Sequence, residues 1–293
     1  MSEIKIISTS DEIYLYLENL RKRNITKIAL DLEGDQGSIK YKYSISIFQC
    51  FDGVTTVVID ALKAANLPEL KTFLTCPDII KVMFSSENDI FMTQNVLGYS
   101  IEPIRDIAVA QKLLGLKINL ADHIGIDKKK KDSFQRANWI RRPIKEELLE
   151  YAVNDVLYLL DINEQYEKEL KKKNLYNKYL ENSLKISKKN FIVDQLQLYK
   201  NKFPGYRKLS SEKKILGRNV WIFRELLGEY LNCPAGYIFS KKSMNNIISE
   251  KDKILIRLHE ELNRNRGNKK RIDMELIKKI YRKAEVRGAK NDQ

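Results

Sequence analysis

Histidine is almost missing from this 293-residue chain, which has only His123 and His259. That scarcity excludes a His-rich zinc site and argues against Ser-His-Asp or Cys-His nucleophilic catalysis. Cysteine is equally sparse, and Cys50, Cys76 and Cys233 lie too far apart for a C-x-x-C metal cluster. An odd, scattered set suits a reducing compartment, with each thiol serving as a small buried hydrophobe. No G-x-x-x-x-G-K-[ST] and no G-x-G-x-x-G occurs, so no phosphate-cradling loop and no small-molecule cofactor is expected. No apolar run approaches the ~18–20 residues that span a bilayer, and residues 1–11 are polar without a signal-like apolar core. The expected compartment is the cytoplasm, with no membrane partner. Carboxylates are what remains for chemistry.

Positive charge is abundant and unevenly placed. The net charge is +14, and residues 196–293 hold 24 Lys+Arg against 11 Asp+Glu. The first 195 residues are therefore close to neutral, and the last third carries the excess. Such a field attracts polyanions, of which phosphate backbones are the commonest, although a lysine-rich solvated surface gives the same count. Hydrophobic residues at 43% and charged residues at 31% describe a core-forming chain.

The first two-thirds read as mixed α/β. Strand-like runs at 26–32, 44–51 and 55–59 are rich in Ile, Val, Phe and Thr and punctuated by Gly34, Gly37 and Gly53. A helix is expected at 67–74 and a short strand at 79–84. Further helices follow at 89–97, 107–114 and 120–124, then one long helix from 145 to 171 after Pro143. The expectation is a mixed sheet flanked by helices over residues 1–171. A polar, lysine-rich linker would cover 172–195, and a small all-helical domain 196–293. Within that domain, amphipathic helices are expected at 220–231, 243–248, 252–263 and 274–285.

Three acidic features stand out. In Lys27-Ile28-Ala29-Leu30-Asp31-Leu32-Glu33, strand alternation puts Asp31 and Glu33 on one face and Ile28, Leu30 and Leu32 on the other. Two same-face carboxylates are costly unless they share a cation, or unless the strand end is simply solvated. On the long helix, Asp155 occupies the gap in an apolar stripe formed by Leu148, Ala152, Leu159 and Ile162, with Tyr151 one turn before it. A core-facing carboxylate needs a metal or a basic partner, unless the helix is rotated so that Asp155 meets solvent. Asp89 follows Ser85-Ser86-Glu87-Asn88 at a helix start, where capping alone favours Asp.

In this order and spacing, the pieces resemble the ribonuclease D family of 3′→5′ exonucleases across most of residues 26–165. Asp31-Leu32-Glu33 resembles the family's D-x-E strand. The stretch from Val82 to Asp89 resembles its second motif, and Tyr151-Ala152-Val153-Asn154-Asp155 its Y-x-x-x-D. Upstream, Asn138-Trp139-Ile140-Arg141-Arg142-Pro143 is similar to its [D/N]-W-x-x-R-P segment. Two departures concern substrate fit rather than chemistry: Gly34 and Asp35 stand where an aromatic residue is common, and Phe84 replaces a histidine. More faintly, the stretch from Trp221 through Pro234 to Ser243 resembles a helicase-and-RNase-D C-terminal (HRDC) domain, a helical nucleic-acid-binding module.

The resemblance implies a ribonuclease-H-like sheet and two divalent ions, Mg²⁺ or Mn²⁺. Asp31 would bridge them, Glu33 and Asp155 would complete one, and Asp89 would hold the other; Tyr151 would orient the attacking water. The implied partner is an RNA 3′ end, tRNA-like or otherwise structured. Alternatives are a DNA-directed exonuclease of the same fold and a catalytically silent binding scaffold. Candidate nucleic-acid contacts are Lys128, Lys129, Lys130, Lys131, Arg136, Trp139, Arg141 and Arg142. In the C-terminal basic segment they are Arg264, Arg266, Lys269, Lys270 and Arg271.

Overall fold

A six-stranded sheet in the order β1-β4-β3-β2-β5-β6 organises the first part of the chain. The computed structural model describes residues 4–120, 133–264 and 272–290. In chain order the elements are β1 (Ile4–Ile7), α1 (Ser10–Lys22), β2 (Lys27–Asp35), β3 (Ser44–Phe51), β4 (Thr56–Asp60), α2 (Ala61–Ala64), α3 (Pro68–Leu74), β5 (Ile80–Met83), α4 (Glu87–Leu97), β6 (Ile104–Asp106) and α5 (Ile107–Leu114). Then come α6 (Glu146–Leu157), α7 (Leu159–Lys172) and α8 (Tyr176–Lys188). β2 runs antiparallel to β3 and parallel to β5, while β1 pairs in parallel with β4 at the edge.

The two faces of β2 explain the layering. Ile28, Leu30 and Leu32 are buried in a core with Phe48, Cys50, Ile13, Leu17, Leu20 and Phe73, which seats α1 and α3 on one side. On the other side, Ala29 and Val82 pack with Val156, Leu159 and Ile162, and Ile47 and Val58 pack with Trp139, Leu148, Tyr151 and Val153. Asp31 and Glu33 share that second face. The first helix and first strand were not expected. The helix's signal was present, since Thr9-x-x-Glu12 forms a capping box ahead of Ile13, Leu17 and Leu20.

Two expectations are corrected. The single helix over 145–171 is two helices joined at Tyr158, whose N–H bonds to Val156 O and whose side chain is exposed. The break lets α6 lie over β2 and β3 while α7 lies against β5 and α5. The expected linker over 172–195 is mostly α8, packed on β6 and α5. Its buried residues, Tyr179, Ser183 and Ser187, are too polar for hydropathy to reveal.

The chain forms two compact units, residues 1–36 with 43–192, and 37–42 with 193–293. The second unit comprises α9 (Tyr199–Lys202), α10 (Ser211–Leu231), α11 (Ala235–Ile238), α12 (Ser243–Ile247), α13 (Ile254–Arg264) and α14 (Met274–Lys290). It is built around α10, which is buried from Leu216 to Gly228. Gly288 on α14 allows close approach: a Cβ there would meet Arg218 Nε and Asn219 Oδ1 at 2.7 Å. No helix among the described residues is long and apolar enough to cross a membrane.

Candidate active site

The acidic site begins with an irregularity in β2. The register to β3 shifts between Glu33 and Gly34, just after Asp31 pairs with Gln49 and Glu33 with Ile47. Bulges of this kind re-aim side chains. Gly34 is required there, because a Cβ would lie 2.3 Å from Ser44 O. Asp31 and Glu33 thus project together towards α6.

From α6, Asp155 reaches the same place. Ligand-type oxygens of Asp31, Glu33 and Asp155 all lie within 4.8 Å of one another, and all three residues are half-buried. Tyr151, one turn earlier, is buried at 3% exposure and its hydroxyl bonds to Asp155. Burial, and then the charges of Asp155 and Glu33, push the Tyr151 hydroxyl far above the usual tyrosine range. Its ring is braced by Phe134, with centroids 4.9 Å apart, and by Trp139 at 6.4 Å.

Asp89 comes from α4 and is buried, with 8% exposure. Burial first, then the charges of Asp31 and Asp106, push its carboxyl well above the usual range. It makes no side-chain cap at the helix start, contrary to the capping alternative; the N-cap residue is Ser86, with no cap bond from its own side chain. Asp106, at the end of β6, does that work from the next strand. It accepts bonds from Ser85 N at 3.1 Å, Ser86 N at 2.8 Å and Ser86 Oγ at 2.7 Å, and from Ala108 N at 2.8 Å. The clamp holds Ser85 at φ +55 and fixes where α4 begins. Sequence reading passed over Asp106. Its position as N-cap of α5, two residues before Ala108, was the available signal.

This donor set fits a hard divalent cation. All four acids offer oxygen, the preferred ligand of Mg²⁺, Mn²⁺ and Ca²⁺. Opposite Asp31 on β3, the fully buried Gln49 amide has no hydrogen-bond partner at either atom, which is rare for a buried polar group.

The expected nucleic-acid contacts fare differently. Trp139 is 1% exposed and its indole N–H donates to Phe134 O at 3.0 Å, so it supports the site from within the core rather than facing a strand. Arg142 is committed to Asp60 and to the carbonyls of Ser46 and Trp139. Its role is structural, because no donor pair is left for a phosphate. Arg136 and Arg141 are exposed at the surface beside Phe134. Arg264 is exposed on α13, next to Glu261. Lys128, Lys129, Lys130, Lys131, Arg266, Lys269, Lys270 and Arg271 lie outside the described residues.

Residues 4–171 match the protein family described as 3′-5′ exonuclease. Ribonuclease D of Escherichia coli is 29% identical over 164 residues, covering 54% of this chain and 42% of that protein. The exosome complex exonuclease RRP6 of Saccharomyces cerevisiae is 30% identical over 190 residues, covering 63% of this chain and 25% of that protein. The chain thus spans less than half the length of these curated relatives. Among solved structures, the catalytic core of RRP6 from Trypanosoma brucei superposes with a TM-score of 0.76 at 20% identity, over 97% of this chain and 80% of that one. Escherichia coli RNase D superposes with a TM-score of 0.75 at 21% identity, over 97% and 76%. These two superpositions establish a shared fold.

Proposed function

Because the chain belongs to the 3′-5′ exonuclease family, we propose that it is a divalent-metal-dependent 3′→5′ exoribonuclease that trims RNA ends. The observation that carries this reading is the convergence of Asp31, Glu33 and Asp155 from two separate elements onto one spot less than 5 Å across. Asp31, Glu33, Asp89 and Asp155 would hold two ions, Mg²⁺ or Mn²⁺. When bound, such ions neutralise the scissile phosphate, lower the pKa of water and ease departure of the leaving oxygen.

The chain's own residues supply position. Tyr151, held by its bond to Asp155 and by the Phe134 and Trp139 rings, presents a hydroxyl at the edge of the acidic cluster, where it can orient a water. Asp106 fixes Asp89 through the Ser85–Ser86 turn.

Beside Phe134 lies a cavity of about 700 Å³ with Arg136, Arg141 and Lys145 on its wall. Its charge and size suit a nucleotide and its phosphate, and Arg–phosphate pairing would set the strand's path towards Tyr151. The basic surplus of residues 196–293 would add sequence-independent grip, as in the HRDC-like module it resembles.

RNA is preferred to DNA as substrate because the curated relatives named above are a ribonuclease D and an exosome exonuclease. The test is a competition between RNA and DNA oligonucleotides of one sequence with 3′ overhangs, in Mg²⁺ or Mn²⁺. Faster stepwise loss from the RNA supports the reading. Equal or faster loss from DNA replaces it with the DNA-directed alternative.

A further inference from the structure

Gln49 pairs across the strands with Asp31, and directly opposed residues on antiparallel strands share a face with Cβ atoms ~4.5–5.5 Å apart. Its side chain is 0% exposed, and neither Oε1 nor Nε2 has a hydrogen-bond partner. On the same face, Thr56 Oγ1 of β4 is also buried without a partner. The neighbours there are apolar: Val58 is Gln49's other cross-strand partner, and Ile47 lies two residues along β3.

An amide with two unmet bonds is expensive, and Met or Leu would fill the same space without that cost. A fold that retains it next to a cluster of carboxylates needs a reason. The register supplies one, because Gln49 stands directly opposite Asp31 on the neighbouring strand, on the same face of the sheet.

We infer that Gln49 is a positioning residue for the cation site. Its Nε2 donates, directly or through one water, to the Asp31 carboxylate when that group turns to a bound divalent ion. The amide then finds its partner only in the loaded state, so the unloaded protein carries the strain. The inference rests on the proposed cation-dependent reading of the acidic cluster.

The test uses the full chain and its Gln49→Met, Gln49→Asn and Thr56→Val variants. Mn²⁺ binding is measured by calorimetry, and melting is followed in EDTA and in Mn²⁺. The expected result is that Gln49→Met melts higher than the parent in EDTA yet binds Mn²⁺ several-fold more weakly. Gln49→Asn, whose amide is one carbon short, would bind weakly without the gain in melting. Exonuclease kcat would fall in both with little change in KM for oligonucleotide.

Parent-like Mn²⁺ affinity in Gln49→Met would overturn the inference. So would equal destabilisation of Gln49→Met and Thr56→Val with affinity unchanged, the mark of a structural water shared by the two. Absence of Mn²⁺ binding in the parent would instead remove the cation reading beneath it.

Discussion

Arg142 grips Asp60 with two nitrogens, Nη2 to Oδ1 at 2.7 Å and Nε to Oδ2 at 3.0 Å, while Nη1 and Nη2 also reach Trp139 O and Ser46 O. The guanidinium thereby ties the Trp139 segment to the ends of β3 and β4. Arg142→Ala removes the basic group bonded to Asp60, which keeps the Leu62 N–H, and takes one donor each from Trp139 O and Ser46 O. It should cost about 2–4 kcal/mol in denaturant unfolding, while leaving KM for oligonucleotide close to the parent's. Arg142→Lys, lacking the two-pronged geometry, should recover only part of that loss. A large rise in KM with stability unchanged would return Arg142 to the substrate surface.

Charge repulsion within the acidic cluster has its own signature. With no cation, three carboxylates inside 4.8 Å destabilise the fold. Asp155→Asn should therefore raise stability in EDTA by about 1–2 kcal/mol. In saturating Mn²⁺ the order should invert, because the parent gains binding energy that the variant lacks. Thermal shifts in the two buffers measure both effects. The same order in both buffers would speak against a shared cation.

Asp106 should act on Asp89 through the turn between them. Asp106→Ala strips acceptors from Ser85 N, Ser86 N, Ser86 Oγ and Ala108 N, leaving a positive-φ serine unsupported. We expect a loss of about 2–4 kcal/mol and a weaker Mn²⁺ response. Ser86→Ala, which removes one bond of the four, should cost about 1 kcal/mol. Chemical denaturation followed with and without Mn²⁺ measures both.

Lys81 makes a pH-dependent contribution remote from the acids. It is 0% exposed on β5, donates to Cys76 O and Glu102 O at 2.9 Å, and burial pulls its pKa down to about 8. The unfolded lysine titrates near ~10.4. Between these values the unfolded chain holds a proton that the folded chain has lost, so this group's contribution to stability rises with pH, by up to about 2–3 kcal/mol between pH 8 and 10. Cys50, pushed up by burial, opposes that trend, so the comparison must be with Lys81→Met. The parent's advantage over the variant should widen across that window. A constant gap would mean that folded Lys81 keeps its proton across the window, as the unfolded lysine does.

Much of this was legible in the chain and some was not, for physical reasons. Strand alternation placed Asp31 and Glu33 on one face, and the interrupted stripe marked Asp155, because burial of apolar neighbours dictates where those side chains point. Asp89 could not be separated from a helix cap by local pattern; only the fold, which lets Asp106 support the turn instead, frees it for the site. The buried face of α8 is written in serines, so its hydropathy matched a linker. Trp139 and Arg142 looked like an exposed binding motif because aromatic and basic residues serve cores and surfaces alike, and which they serve depends on tertiary contacts, to Tyr151 on the following helix and to Asp60, 82 residues away in sequence.

The central claim is that the acids on β2, α4 and α6 form one cation-dependent hydrolytic centre. Its most direct test is a single time course with 5′-labelled RNA in Mg²⁺ or Mn²⁺, run for the parent, Asp155→Asn and the parent in EDTA. The account predicts a ladder shortening nucleotide by nucleotide from the 3′ end in the parent alone, with Asp155→Asn slower by at least about 10³-fold. Shortening that persists in EDTA or in Asp155→Asn, or a parent that binds RNA and leaves it intact, would contradict it.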